Sequence, residues 1–154
     1  MTEAVAAELR LPVRVYIEDT DAGGIVFYVN YLKYFERART EFMRRLGLAK
    51  AALLDGEFLF VVHSMQVEYL SAAVLDDQLE ACAALLEARG ARLLFAQRVL
   101  RSGEEICRAR VTVACVDAVT RRACALPQTL RALLAAASSD VATQSIHHST
   151  GSSA

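Results

Sequence analysis

One stretch of helical period, set among segments that alternate, constrains this chain more than any other feature. Tyr31, Phe35, Ala38, Phe42 and Leu46 recur at spacings of three and four, while Lys33, Arg37, Arg39, Glu41, Arg44 and Arg45 fall mostly elsewhere. That is one amphipathic helix, and Gly47 is suited to the position just past its end. Ahead of it, Leu11, Val13, Val15 and Ile17 alternate over Leu11 to Asp19, as a half-buried strand should. Leu48 to Leu54 reads as a short second helix. FLFVVHSMQVEYL follows, with Met65, Val67 and Tyr69 alternating with Gln66 and Glu68. Three more strands are expected at Asp77 to Ala88, Arg92 to Arg101 and Glu104 to Asp117, turned by Arg89-Gly90-Ala91 and Ser102-Gly103. A short last helix is expected from Pro127. One strand, one long helix and four strands on short turns predict an α+β chain whose antiparallel sheet packs against a single helix.

With 154 residues the chain fits one domain, expected over residues 1–136. Beyond Leu134 the sequence AAASSDVATQSIHHSTGSSA is small and polar, so residues 137–154 are expected to be mostly disordered, and His147 and His148 within them are not candidates for catalysis. Lys plus Arg number 17 against 18 Asp plus Glu, a balance that argues against a general nucleic-acid or anionic-membrane surface but allows a local basic patch. Cys82, Cys107, Cys115 and Cys124 show no CxxC spacing, three of them fall in expected strands, and all read as inert thiols. MTEAVAAELR has no secretory character and no apolar run is long enough to span a bilayer, so the expected location is the cytoplasm, without membrane insertion.

The chemistry concentrates in EDTDAGGIVFYVNY, Glu18 to Tyr31. Here a carboxylate, Asp21, precedes an expected helix start across a two-glycine turn. A helix N-terminus carries N–H groups without intrahelical acceptors and the positive end of the helix dipole, which suit an oxygen gaining negative charge. A carboxylate on the other side of a carbonyl would be nucleophile or general base. Gly23 and Gly24 allow positive φ and close backbone approach. The run is neither a dinucleotide-binding glycine pattern nor a P-loop. It also lacks the ligand spacing of a calcium loop, so no metal is expected. Against this stands a plainer reading, in which Asp21 caps a turn and Glu18, Asp19 and Asp21 form a solvated acidic loop.

This run resembles the active-site segment of the 4-hydroxybenzoyl-CoA thioesterase family of hotdog-fold enzymes, which includes the acyl-CoA thioesterases associated with the Tol-Pal system. YLKYFERARTEFMRRLG (31–47) resembles that family's central helix, MQVEYLSAAVLDDQLE (65–80) its second strand and following turn, and RRACALP (121–127) its C-terminal segment. The resemblance implies a hotdog fold, in which an antiparallel sheet of about five strands wraps around one long central helix. It implies an acyl-CoA thioesterase acting on a small aliphatic or aromatic acyl group, with Asp21 in the position of the catalytic carboxylate. Tyr28 would contribute its backbone N–H to the oxyanion hole. It implies no cofactor, coenzyme A being part of the substrate, and at least a homodimer, with a homotetramer common in the family. An acyl carrier protein is a further candidate partner.

The chain also departs from the family. Many Tol-Pal-associated members carry His where Tyr28 stands, so an imidazole role does not transfer, whereas the hydroxybenzoyl enzymes carry Tyr there. Those enzymes have Pro in place of Val29, which makes Tyr28 a better N-cap candidate than Asn30, although Asn30 suits a cap by residue type. Ala72 replaces a frequent Pro ahead of Leu75-Asp76-Asp77. Arg89 and Arg92 lie where relatives bind coenzyme A phosphates, a task suited to guanidinium groups, though a solvated hairpin tip explains them equally well. Val62, His63 and Ser64 fall on the strand expected beside a partner subunit's site and are candidates for the acyl pocket. The competing functional readings are a non-catalytic protein that binds acyl-CoA or acyl carrier protein, and a hotdog hydratase. The hydratase would need a His that this run lacks.

Overall fold

The computed structural model describes residues 6–48 and 57–148. Five strands, β1 (Leu9–Arg14), β2 (Phe58–Tyr69), β3 (Gln78–Arg89), β4 (Arg92–Arg101) and β5 (Glu104–Asp117), form one sheet in the order β1-β3-β4-β5-β2, with every pairing antiparallel. The long helix α1 (Val29–Arg45) packs mainly on β3 and β1. This is the hotdog arrangement expected from the sequence. The short helix expected at Leu48 to Leu54 falls, apart from Leu48, outside the described residues.

The helix forms where its stripe requires. Tyr31, Tyr34, Phe35, Ala38 and Phe42 are buried against the sheet, and the Phe42 and Phe95 rings meet edge to face with centroids 5.5 Å apart. Gly47, at φ 101°, ends the helix in the left-handed conformation that a side chain would resist. Arg39 corrects the expectation that the basic residues lie off the packed face: it is buried. Its Nη1 donates to Gln97 Oε1 at 2.7 Å on β4, and Gln97 Nε2 donates to the Phe35 carbonyl at 2.9 Å. Glu36 completes the arrangement by pairing with Arg39 on the same helix. Burial lowers the affinity of Arg39 for its proton, and Glu36 opposes that.

The first strand stops earlier than its alternation predicts. Val13 and Val15 face the core, but a 3-10 turn over Ile17–Asp19 takes over and turns Ile17 out, 76% exposed. β2 carries an irregularity at His63, since Val62 pairs with Val113 and Ser64 with Thr112, leaving His63 as the extra residue. The last helix, α2 (Gln128–His148), buries Leu130 and Leu134 and continues beyond residue 136. Its alanines, strong helix formers, carry the backbone through part of the segment expected to be disordered. No helix among the described residues is long and apolar enough to cross a membrane.

Candidate active site

Asp21 sits at the head of a tight hairpin. Thr20 pairs with Val26, the Asp21 N–H donates to the Ile25 carbonyl at 2.9 Å, and the Gly24 N–H donates to the Asp21 carbonyl at 3.0 Å. Gly24 takes φ 77°, a value that favours glycine. Gly23 has a different task. Its N–H donates to Asp21 Oδ1 at 2.8 Å, and a Cβ there would lie 3.2 Å from that oxygen. Asp21 thus caps its turn, as the plainer sequence reading expects, through one carboxylate oxygen. The other makes no hydrogen bond among the described residues, and the residue is exposed.

The hairpin is fastened to the start of α1. The Phe27 N–H donates to the Asp19 carbonyl at 2.9 Å, and Asn30 Nδ2 donates to the same oxygen at 2.7 Å. Tyr28, not Asn30, is the N-cap. Asn30 is buried and serves as a bolt between helix and loop, a role its residue type did not announce. Its neighbours Tyr31 and Tyr34 on the packed face were the available signal. The Tyr28 N–H finds no acceptor among the described residues, and it points from the positive end of a 17-residue helix. The Tyr28 ring packs beside Phe27 and Tyr69, and the Tyr69 hydroxyl donates to the Tyr28 carbonyl at 3.2 Å.

Beneath the hairpin lies the loop ahead of β3. The Val26 N–H donates to the Ala73 carbonyl at 2.9 Å, Ile25 pairs with Val74, and the Ala73 N–H donates to the Tyr31 hydroxyl at 3.0 Å. Asp77 holds this loop in shape, accepting from the Val74 N–H at 2.9 Å and from Arg101 at 3.0 Å. The Val74 N–H, and then Arg101, keep the Asp77 carboxyl below its ordinary value. Burial pushes the Tyr31 phenol up. Tyr34 is fully buried, and burial together with the nearby Asp19 charge raises its hydroxyl strongly. Asp77, ionised and paired with Arg101, and the two protonated tyrosines brace the loop and helix against which the hairpin of Asp21 is held.

The other predicted residues stand apart from Asp21 within one protomer. Arg89 and Arg92 face each other across the Gly90 turn, so they share one tip, and neither makes an ion pair among the described residues. That tip closes the far end of β3. Asp77, beside the hairpin, precedes the start of the same 12-residue strand, which puts the arginines on the order of 40 Å from the hairpin. Val62, His63 and Ser64 are exposed at mid-length on β2, the sheet's edge. Val62 also lines a cavity of about 210 Å³ with Arg39, Met43, Phe60, Phe95 and Val113. His63 and Ser64 do not. Around the hairpin, Ile25, Phe27, Tyr28, Tyr69, Leu70 and Val74 are between 40% and 58% exposed, an apolar surface of the kind a partner covers.

An exposed carboxylate and an unpaired helix-start amide, tied to one another through the Asp19 carbonyl, are group types suited to attack on a carbonyl and to stabilisation of an oxyanion. Comparison with known proteins agrees in kind. The sequence profile of the thioesterase-like superfamily matches residues 15–134. The acyl-CoA thioesterase YbgC of Haemophilus influenzae is 45% identical over 122 residues, covering 79% of this chain and 90% of its own length. The acyl-CoA thioester hydrolase YbgC of Escherichia coli is 43% identical over 122 residues, covering 79% and 91%. A probable thioesterase of known structure from Bartonella henselae superposes with a TM-score of 0.73 at 30% identity, covering 79% of this chain and 100% of that one.

Proposed function

This chain belongs to the thioesterase-like superfamily, and from that membership we propose that it hydrolyses small acyl-CoA thioesters to free acid and coenzyme A. In this reading the thioester carbonyl oxygen turns toward the Tyr28 N–H, where the helix dipole favours its developing charge. Asp21 attacks the carbonyl carbon or removes a proton from an attacking water, and coenzyme A leaves as the thiolate. The observation that carries the reading is the double fastening of the hairpin to α1 through the Asp19 carbonyl, which holds carboxylate and free amide in one rigid unit.

The remaining groups enter through a second copy. β2 is an unpaired edge bearing exposed Val61 and Val62. An antiparallel pairing of two such edges about a two-fold axis reverses one protomer against the other. The arginine end of each copy then approaches the Asp21 end of its neighbour. Arg89 and Arg92 are proposed to hold the coenzyme's phosphates, and Val62, His63 and Ser64 to border the acyl group. The small volume beside Val62 favours a short aliphatic or aromatic acyl group. A homodimer is the minimum for this site, and a homotetramer is compatible with it.

The test is thiol release over a series of short, aromatic and long acyl-CoA substrates, with wild type and Asp21→Asn side by side. Asp21→Asn should keep the fold and lose activity by about 10²–10⁴. Near-normal turnover in that variant would overturn the assignment. Tight binding by wild type without thiol release from any substrate would favour a non-catalytic protein that binds acyl-CoA or acyl carrier protein.

A further inference from the structure

The four cysteines read as inert in the sequence, yet two of them meet. Cys115, near the end of β5, and Cys124, in the segment leading to α2, have their Sγ atoms 3.3 Å apart. The contact follows from the way that segment enters the sheet. Where β4 has not yet begun, residues 122–126 fill the row beside β5. The Asp117 N–H donates to the Arg122 carbonyl at 2.8 Å, Val116 pairs with Ala123, and the Cys124 N–H donates to the Cys115 carbonyl at 2.9 Å. The Leu126 N–H closes the row on the Gly90 carbonyl at 2.9 Å.

Cys115 and Cys124 are therefore directly opposite residues of an antiparallel pair, with side chains on one face. One backbone bond joins the two, since the Cys115 N–H goes to the Ala91 carbonyl at 2.7 Å; opposite residues of an antiparallel pair lie about 4.5–5.5 Å apart at Cα, inside the roughly 4.4–6.8 Å that a disulfide spans. Closure needs rotation of two side chains and leaves the backbone in place. We propose that Cys115 and Cys124 form a thiol–disulfide site that takes a low-molecular-weight disulfide as oxidant and closes to an intramolecular disulfide.

The two thiols differ in access. Cys115 is completely buried, and burial, reinforced by the adjacent Cys124 thiol, pushes it up to about 12. Cys124 is partly exposed and is the entry point. Its thiolate attacks one sulfur of the small disulfide and releases the first small thiolate. The Cys115 sulfur then attacks the Cys124 sulfur of the mixed disulfide, releasing the second small thiol and passing its proton to it. Two protein thiols lose two electrons, and one small disulfide becomes two thiols. Cys82 and Cys107 are buried, have no sulfur neighbour among the described residues and stay outside the reaction. The new bond would tie the segment ahead of α2 to β5, next to the turn between Arg89 and Arg92. This chemistry does not depend on the thioesterase reading.

The test exposes the native full-length chain to glutathione disulfide over a range of ratios to reduced glutathione, then denatures it and alkylates the free thiols. Wild type should lose two of its four alkylatable thiols, weigh two hydrogens less before alkylation, and yield a peptide pair joined through Cys115 and Cys124. Dithiothreitol should restore all four thiols. Cys115→Ala should halt at a glutathione adduct on Cys124. The proposal is overturned if wild type keeps four alkylatable thiols at every ratio, if its Cys124 accumulates an adduct that never resolves, or if the cross-link involves Cys82 or Cys107. These wild-type readings stand even if a cysteine variant fails to fold.

Discussion

The two ends of the sheet are built on opposite plans. At the Asp21 end, backbone and side-chain hydrogen bonds tie the hairpin, the helix start and the loop before β3 into one block, while apolar side chains face outward. At the Arg89 end, a two-stranded turn carries two exposed guanidinium groups with no partner charge among the described residues, and only its backbone is held, by the Leu126 N–H on the Gly90 carbonyl and the Cys115 N–H on the Ala91 carbonyl. The difference fits the proposed roles: reacting groups need a fixed geometry, whereas side chains that grip a flexible, charged tail need only reach. On the proposed reading, one protomer holds halves of two different sites.

The sharpest way to break this comparison is to separate the halves. Asp21→Asn, and the double variant Arg89→Ala with Arg92→Ala, should each be weak alone. Mixed and allowed to exchange subunits, they should regain activity, because one of the two sites in the mixed dimer combines an intact Asp21 with intact arginines. A mixture no more active than its parts would show that each copy works alone, or that the arginines have no role.

Next in size is an effect on the scaffold between the ends. Gln97→Ala strips the buried Arg39 of an acceptor and should cost about 2–3 kcal/mol in urea unfolding, with KM unchanged. A KM shift without loss of stability would place this pair in substrate binding instead. The double arginine variant should raise KM for acyl-CoA about five- to thirtyfold, at the lower end of charged hydrogen bonds because the groups are exposed. Acyl-pantetheine, which lacks the nucleotide phosphates, should show no such change. An equal change on both substrates would remove the arginines from phosphate binding.

The smallest effect concerns pH. Asp77 is held below the ordinary carboxylate value of about 4. Its contribution is therefore present above that value and lost as pH falls through the lower, folded-state value. Asp77→Asn should flatten the acid limb of the stability profile, read by thermal unfolding between neutral and strongly acid pH. An unchanged acid limb would mean that Asp77 does not brace the floor of the hairpin.

What could be read from the chain follows from the range of the forces involved. The stripe from Tyr31 to Phe42 and the alternation within β4 and β5 are local, and the bounds of those two strands coincide with their turns. Residue type alone pointed to Asn30 as the helix cap and only the resemblance pointed to Tyr28, whereas the turn of Asp21 and Gly24 was legible because turn chemistry is local as well. Arg39 was not, since its partner Gln97 lies 58 residues away and nothing nearby signals it. Ile17 misled because a strand and the start of a 3-10 turn share one alternating pattern. The irregularity at His63 was readable in principle: the inward residues of β2 are Phe58 and Phe60 before it and Met65 and Val67 after it, a switch from even to odd numbers that requires one added residue.

That added residue bears on solubility as well as on pairing. A straight, apolar border would accept any extended segment, including a strand exposed during another molecule's folding. An insertion halfway along the 12-residue β2 breaks the cadence of its outward amides. A stray strand can then match one half or the other, but not the full length. The border remains open to a neighbour of the right shape while resisting growth into fibres.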